Sequence, residues 1–275
     1  MEIKKYELTN ETLSWKGHTL HRIKALKDFG NIRTGDLGGW VEREENLDHY
    51  NNCWVCQNAK VYDNAVVKGN AKVCGLAQVY GNASVSRDAK VYGHAEVYGK
   101  AIVKDNAEIY SYAQVYGKAE VFGEANICGY AIVCDEAWIF GWGWVCDNAQ
   151  VYDNARVFGH AMVGGNVWVC GLAQVYGYAQ AYDNAKVLGD ALACGNAVFC
   201  GDAVIKEAKD YAVFKNSWSS GRFFTWTRSN DKWKVGCFYG TGEELIKKAY
   251  ADGELKGKCY EAIVQMQNKI SELLK

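Results

Sequence analysis

The chain has 275 residues, no proline, eleven cysteines, 13% aromatic residues and a formal net charge of −1. A balance so close to zero sets up no long-range field, which argues against duplex nucleic acid as a partner. No run of about 18 apolar residues occurs, so nothing in the sequence reads as a membrane span.

Residues 1–40 read as an N-terminal β cap. Thr12 to Trp15 and His18 to Leu26 flank Lys16-Gly17, a two-residue hairpin turn. The stretch from Met1 to Thr9 has no apolar core of the signal-peptide kind, and the cysteine count is odd, so a cytoplasmic, reducing location is expected. A glycine-rich stretch then leads from Lys27 to Leu47. It lacks the Gly-Lys-Ser/Thr of a phosphate loop. Its expected role is to cover the open end of a repeat array, with ligand binding as the alternative.

From Val41 a six-residue unit emerges in degenerate form, VEREEN, LDHYNN and CWVCQN, in register with regular copies of the same unit. From Ala59 to Ala208 the unit is regular. There are 25 consecutive copies, 23 beginning with Ala and 22 carrying Val or Ile third. A fixed period signals a solenoid. Alternation sends the first and third residues inward and the second, usually charged or amide, outward. Gly or Asp at the fifth position and Asn at the sixth suit a corner, because they tolerate left-handed backbone. Fourth positions fall into columns at spacing 18: Tyr62, Tyr80, Tyr98, Tyr116; Phe122, Phe140, Phe158; Cys56, Cys74, Tyr92, Tyr110, Cys128, Cys146. Three units therefore make one coil, with column neighbours about 4.8 Å apart. Most cysteines exchange with Tyr and Phe in these columns, as small apolar fillers. The absence of proline suits a ladder that uses its backbone donors throughout.

Residues 212–275 break the period. FFTWTR and KWKVGCFYG flank Ser229-Asn230-Asp231 and read as a hairpin. Thr241 and Glu244 form a capping box that opens a helix. A second helix carries Tyr260, Ile263, Val264, Ile270 and Leu273 at helical spacing.

The unit resembles the hexapeptide repeat of left-handed parallel β-helices. The leader, with Ala25 to Phe29, Gly35, Gly38-Gly39-Trp40 and Cys53-Trp54-Val55, is similar to that of bacterial and phage hexapeptide-repeat, transferase-like proteins. The expected fold is an all-β solenoid: a left-handed parallel β-helix of about nine coils over 41–211, between a β cap at 1–40 and a β-hairpin plus two-helix module at 212–275. The handedness comes from the resemblance alone.

The resemblance also implies an acyltransferase acting with coenzyme A or acyl-carrier protein, as a trimer with a His base between subunits. The repeat holds only His94 and His160, eleven units apart at corner positions, and no loop interrupts the coil. Two distant histidines cannot complete a three-His zinc site, and Cys53-x-x-Cys56 stands alone. No metal or cofactor is expected. What remains is aromaticity. Phe122, Trp138, Phe140, Trp142, Trp144 and Phe158 mark a surface for a protein partner or for self-association. Rings lying flat along the rod are the alternative, favoured for the tyrosine column. Arg222, Trp226, Arg228, Lys232 and Trp233 mix cations with rings, as a site for a small phosphate-containing ligand does. A hairpin with one packed face accounts for the same residues. The reading is a non-catalytic interaction protein of phage or mobile-element origin that blocks a host factor or sequesters a small ligand. Its rivals are a hexapeptide acyltransferase with His94 or His160 as base, and a purely structural rod.

Overall fold

Alternation within the unit decides the architecture. The computed structural model describes residues 4–218 and 220–274. From Ala59 to Ile205, every first and third position is buried. Second positions look outward, buried only beneath the N-terminal cap at Trp54 and Lys60. The second and third residues of each unit form a two-residue strand, numbered β4 (Trp54–Val55) through β29 (Val204–Ile205). Each strand pairs in parallel with the strand three further on, 18 residues away: Lys60 with Gln78, Lys90 with Glu108, Trp138 with Arg156. The result is a parallel β-solenoid of about nine turns with three sheets. We name these the tyrosine, phenylalanine and cysteine faces, after their fourth-position columns. Inside run a column of Ala, interrupted by Gly143 and Val167, and a column of Val or Ile, interrupted by Ala181, Ala193 and Phe199. Each buried Val contributes roughly 1.5 kcal/mol or more of transfer free energy.

The corners explain the choice between Gly and Asp. Every fifth residue from Gln57 to Gly201 has left-handed backbone. At Gly129 a Cβ would lie 2.7 Å from the Asp147 nitrogen of the next coil. Asp is tolerated because its carboxylate accepts the corner N–H one coil on, a donor for which the backbone ladder has no acceptor. Gly165 donates to Asp147 at 2.9 Å, Gly171 to Asp153 at 2.9 Å and Gly201 to Asp183 at 2.9 Å.

Outside the two-residue strands, backbone hydrogen bonds between coils run from the N–H of one coil to a carbonyl of the next: Tyr62 to Val79 at 3.1 Å, Lys186 to Ala203 at 2.7 Å; within each strand pair the parallel ladder also sends a bond back. The first coil therefore presents mainly carbonyls and the last mainly N–H groups, and buried backbone groups need partners. The N-terminal segment brings donors. β1 (Tyr6–Trp15) and β2 (His18–Ala25) form the expected hairpin about Lys16 and Gly17, both at positive φ. β3 (Leu37–Val41) then pairs in parallel with β5 (Lys60–Val61), and Trp40 donates to Ala59 at 2.9 Å. Lys5 Nζ donates to the Cys53 carbonyl at 2.9 Å and Asn46 Nδ2 to that of Ala65 at 2.8 Å. Burial lowers the pKa of Lys5.

The register of the first two of the three degenerate units differs from expectation. Val41 and Leu47 stand over Val61 and Val67, third positions, and not over the alanines. A 3-10 turn at Glu44–Asn46, whose Asn46 amide bonds back to the first coil, replaces a regular corner. Two extra residues before Trp54 restore the spacing.

The C-terminal unit is larger than a hairpin. β30 (Tyr211–Lys215), β31 (Phe223–Thr227), β32 (Lys232–Val235) and β33 (Phe238–Gly240) form an antiparallel sheet, followed by α1 (Gly242–Asp252) and α2 (Glu254–Leu273). The capping box holds, with Thr241 N–H to Glu244 at 2.7 Å and Glu244 N–H to Thr241 at 3.2 Å. Hydroxyl oxygens of this unit meet the bare donors of the last coil. Val198 donates to Thr225 Oγ1 at 2.9 Å, Val204 to Ser229 Oγ at 2.7 Å and Cys194 to the Tyr211 hydroxyl at 3.3 Å. Among the described residues, no helix is long and apolar enough to cross a membrane.

Candidate interaction surface

Fourth-position rings lie flat along the rod. Phe122, Phe140, Phe158 and Tyr176 stack at 4.8 to 5.0 Å with planes 2° apart, half-buried, and on their face Tyr62, which is buried, Tyr80, Tyr98 and Tyr116 stack at 4.8 to 5.0 Å with planes 3° to 10° apart. The flat arrangement thus holds for phenylalanines and tyrosines alike. The tryptophans stand apart from it. Trp138 occupies a second position on the phenylalanine face, edge-on to Phe122 at 6.3 Å, with the Arg156 guanidinium 4.9 Å over its ring. Trp142 sits on the edge between the phenylalanine and cysteine faces. It stacks on His160 at 4.7 Å, which stacks on Tyr178 at 4.9 Å. Trp144 opens the cysteine face, paired with Met162. Trp142 is 59% and Tyr178 60% exposed, with Trp138, Trp144 and Met162 between 37% and 41%. An exposed aromatic band therefore wraps one edge of the rod. Gly143 sits inward between two of its tryptophans, where a Cβ would come within 2.9 Å of the Val157 carbonyl.

A second edge carries His94, Tyr112 and Tyr130, stacked at 4.7 and 5.0 Å. Reading only fourth positions missed these edge stacks, although sixth positions at spacing 18 spell them out.

The cysteine face is chemically uneven. Cys128 Sγ accepts the Trp144 indole N–H at 3.2 Å. Hydrogen bonds from Cys146, Trp144 and Tyr110 pull the Cys128 thiol down to about 6, against the opposing effect of burial, while Cys146 goes up because its proton serves Cys128. The two thiols of Cys53-x-x-Cys56 do not converge. Cys53 is buried against Lys5, with Nζ to Sγ 3.1 Å, whereas Cys56 meets Cys74 with sulfurs 2.6 Å apart.

His94 and His160 lie on different edges. Among the described residues neither imidazole has a hydrogen-bond partner, so no carboxylate there orients either one. One group of metal-capable side chains converges at the N-terminal cap. His18 Nδ1 lies 3.0 Å from Glu42 and Nε2 3.6 Å from Asp63, while Glu42 also accepts the Asp63 N–H at 2.7 Å. These contacts tie the hairpin to the first coil.

The C-terminal residues are placed otherwise than a stacking site requires. Trp226 and Trp233 are 4% and 1% exposed and pack with Phe224, Leu245, Tyr260 and Val264. The reason is alternation in a strand covered on both sides. Thr225 faces the last coil, and Phe224 and Trp226 face the helices. The Trp226 indole donates to Asp231 at 2.8 Å and Arg228 Nε to the Lys209 carbonyl at 3.1 Å. Arg222 borders a hollow of about 100 Å³ with Lys248, Lys256 and Tyr260, and Lys232 is half-buried. The two rings are used inside the unit and Arg228 is tied to its backbone.

The six-residue repeat and the 18-residue coil fit a hexapeptide-repeat, transferase-like β-solenoid family. The family model described as the YdcK beta solenoid repeat matches residues 77–93 and 149–165. Over 79 residues the chain is 34% identical to the "Uncharacterized acetyltransferase YdcK" of Escherichia coli (strain K12). That stretch spans 26% of this chain and 24% of the relative, so the match covers about a quarter of each.

Proposed function

We propose that the protein is a non-catalytic binding module working through the edge band of Trp138, Trp142, Trp144, Met162 and Tyr178. The observation behind it is the exposure of contiguous rings across two faces and the edge between them, which monomers seldom leave bare. Rings already held in stacks lose little freedom on docking, which favours them as anchors. The trimer implied by the hexapeptide resemblance makes a second copy of this chain the first occupant to test.

Acyl transfer is the second reading, favoured by the printed name of the 34% identical relative. It needs a carboxylate from outside the chain to orient His160, which lies in the same band. Native mass spectrometry with and without acetyl-coenzyme A separates the two. The expected result is an oligomer that Trp142→Ser with Trp144→Ser reduces to monomer and that takes up no cofactor. A wild-type monomer overturns self-association. Stoichiometric uptake of acetyl-coenzyme A overturns the non-catalytic reading.

A further inference from the structure

Parallel register sets Cys56 directly beside Cys74. Trp54 pairs with Lys72 and Val55 with Val73, so the two cysteine Cα atoms are about 4.8 Å apart, inside the window that a disulfide requires. Both side chains leave the same face, and their sulfurs touch at 2.6 Å. Hollows open on either side. One, of about 350 Å³, lies under the cap loop at Phe29 and reaches Cys56; the other, of about 340 Å³, reaches Cys74 across Gly75. Lys72 and Lys90 line both hollows. Glu108 neutralises Lys90 at 2.8 Å, whereas Lys72 is exposed with no anionic partner among the described residues. Either thiol of the touching pair can donate to the other; when Cys56 donates, the bond lowers the pKa of the Cys74 thiol, and Lys72 lowers it further.

We propose that Cys56 and Cys74 form a thiol–disulfide exchange site for small anionic disulfides. The Lys72 ammonium meets the carboxylates of the incoming molecule. The Cys74 thiolate attacks one of its sulfurs, forms a mixed disulfide and expels one small thiolate. Cys56, losing its proton to solvent, then attacks Cys74 Sγ, expels the second thiolate and closes the Cys56–Cys74 bond. Two protein thiols are oxidised, one small disulfide is reduced to two thiols, and the released protons end on those thiols. This proposal does not rest on the binding reading above.

The test treats the full chain with oxidised glutathione, or with the neutral bis(2-hydroxyethyl) disulfide, then alkylates and maps peptides by mass spectrometry. A Cys56–Cys74 cross-link is expected, forming several-fold faster than the exposed Cys237 acquires glutathione. Lys72→Glu slows the reaction with oxidised glutathione several-fold and leaves that with the neutral disulfide unchanged. Cys56→Ser traps the mixed disulfide on Cys74. Cys56 and Cys74 remaining alkylatable while Cys237 is modified overturns the site. Equal rates for both disulfides, insensitive to Lys72→Glu, overturn its preference for anions.

Discussion

At the fifth position of those units that carry Asp there, a side chain settles a backbone problem. Asp147 adopts φ 57° and its carboxylate takes the Gly165 N–H at 2.9 Å. Asp147→Ala keeps the left-handed conformation at its full steric cost and loses the acceptor, so a loss of about 2 kcal/mol is expected. Asp147→Gly relieves the conformational part and costs about half as much. Urea denaturation of both variants is the measurement; equal losses mean that the hydrogen bond alone carries the effect. Gly and Asp at this position were legible as corner formers, because their backbone tolerance is local. The bond from one corner to the next was not, because it exists only once coils stack. The tryptophans divide in the same way. Trp142 was legible as a surface residue from its corner slot. The burial of Trp226 and Trp233 depends on helices that arrive later in the chain.

At the scale of elements, the junction between the last coil and β31 depends on two hydroxyls. Thr225 is buried and accepts the Val198 N–H. Thr225→Val keeps the shape, removes the acceptor and strands that donor, so it is expected to cost about 1–3 kcal/mol. Thr225→Ser keeps the hydroxyl and stays closer to wild type. Thermal unfolding of the two variants reads the difference, and an equal fall in both assigns the effect to packing. Hairpins and helices announced themselves by turn residues, capping box and periodicity. β30 did not, because its partner β31 begins only at Phe223, eight residues after β30 ends at Lys215. The two-residue slip at the entry to the solenoid was equally hidden. VEREEN and LDHYNN imitate the repeat, while the Asn46 amide, bonded across to the first coil, sets a different alignment.

Over the whole molecule, one repeat written many times produces a uniform interior and a varied exterior. The interior was legible almost completely, since Ala and Val at fixed places leave one way to bury them. The exterior was legible as composition but not as neighbourhood, because Trp138, Trp142 and Trp144 come from two faces and the edge between them.

The parallel stacking of the coils, with most inter-coil bonds running one way, gives the rod a polarity, like a plug at one end and a socket at the other. A chain stripped of residues 209–275 exposes mainly donors and should match its own kind end-on only poorly. A chain stripped of residues 1–52 exposes mainly acceptors and should match its own kind as poorly. Mixed, the two should join end to end into a rod of double length, which light scattering and electron microscopy would register. Joining within either preparation alone would show that the ends do not discriminate by polarity. The terminal segments thus stand between this molecule and a one-directional fibre, and they fix its length as firmly as the repeat fixes its width.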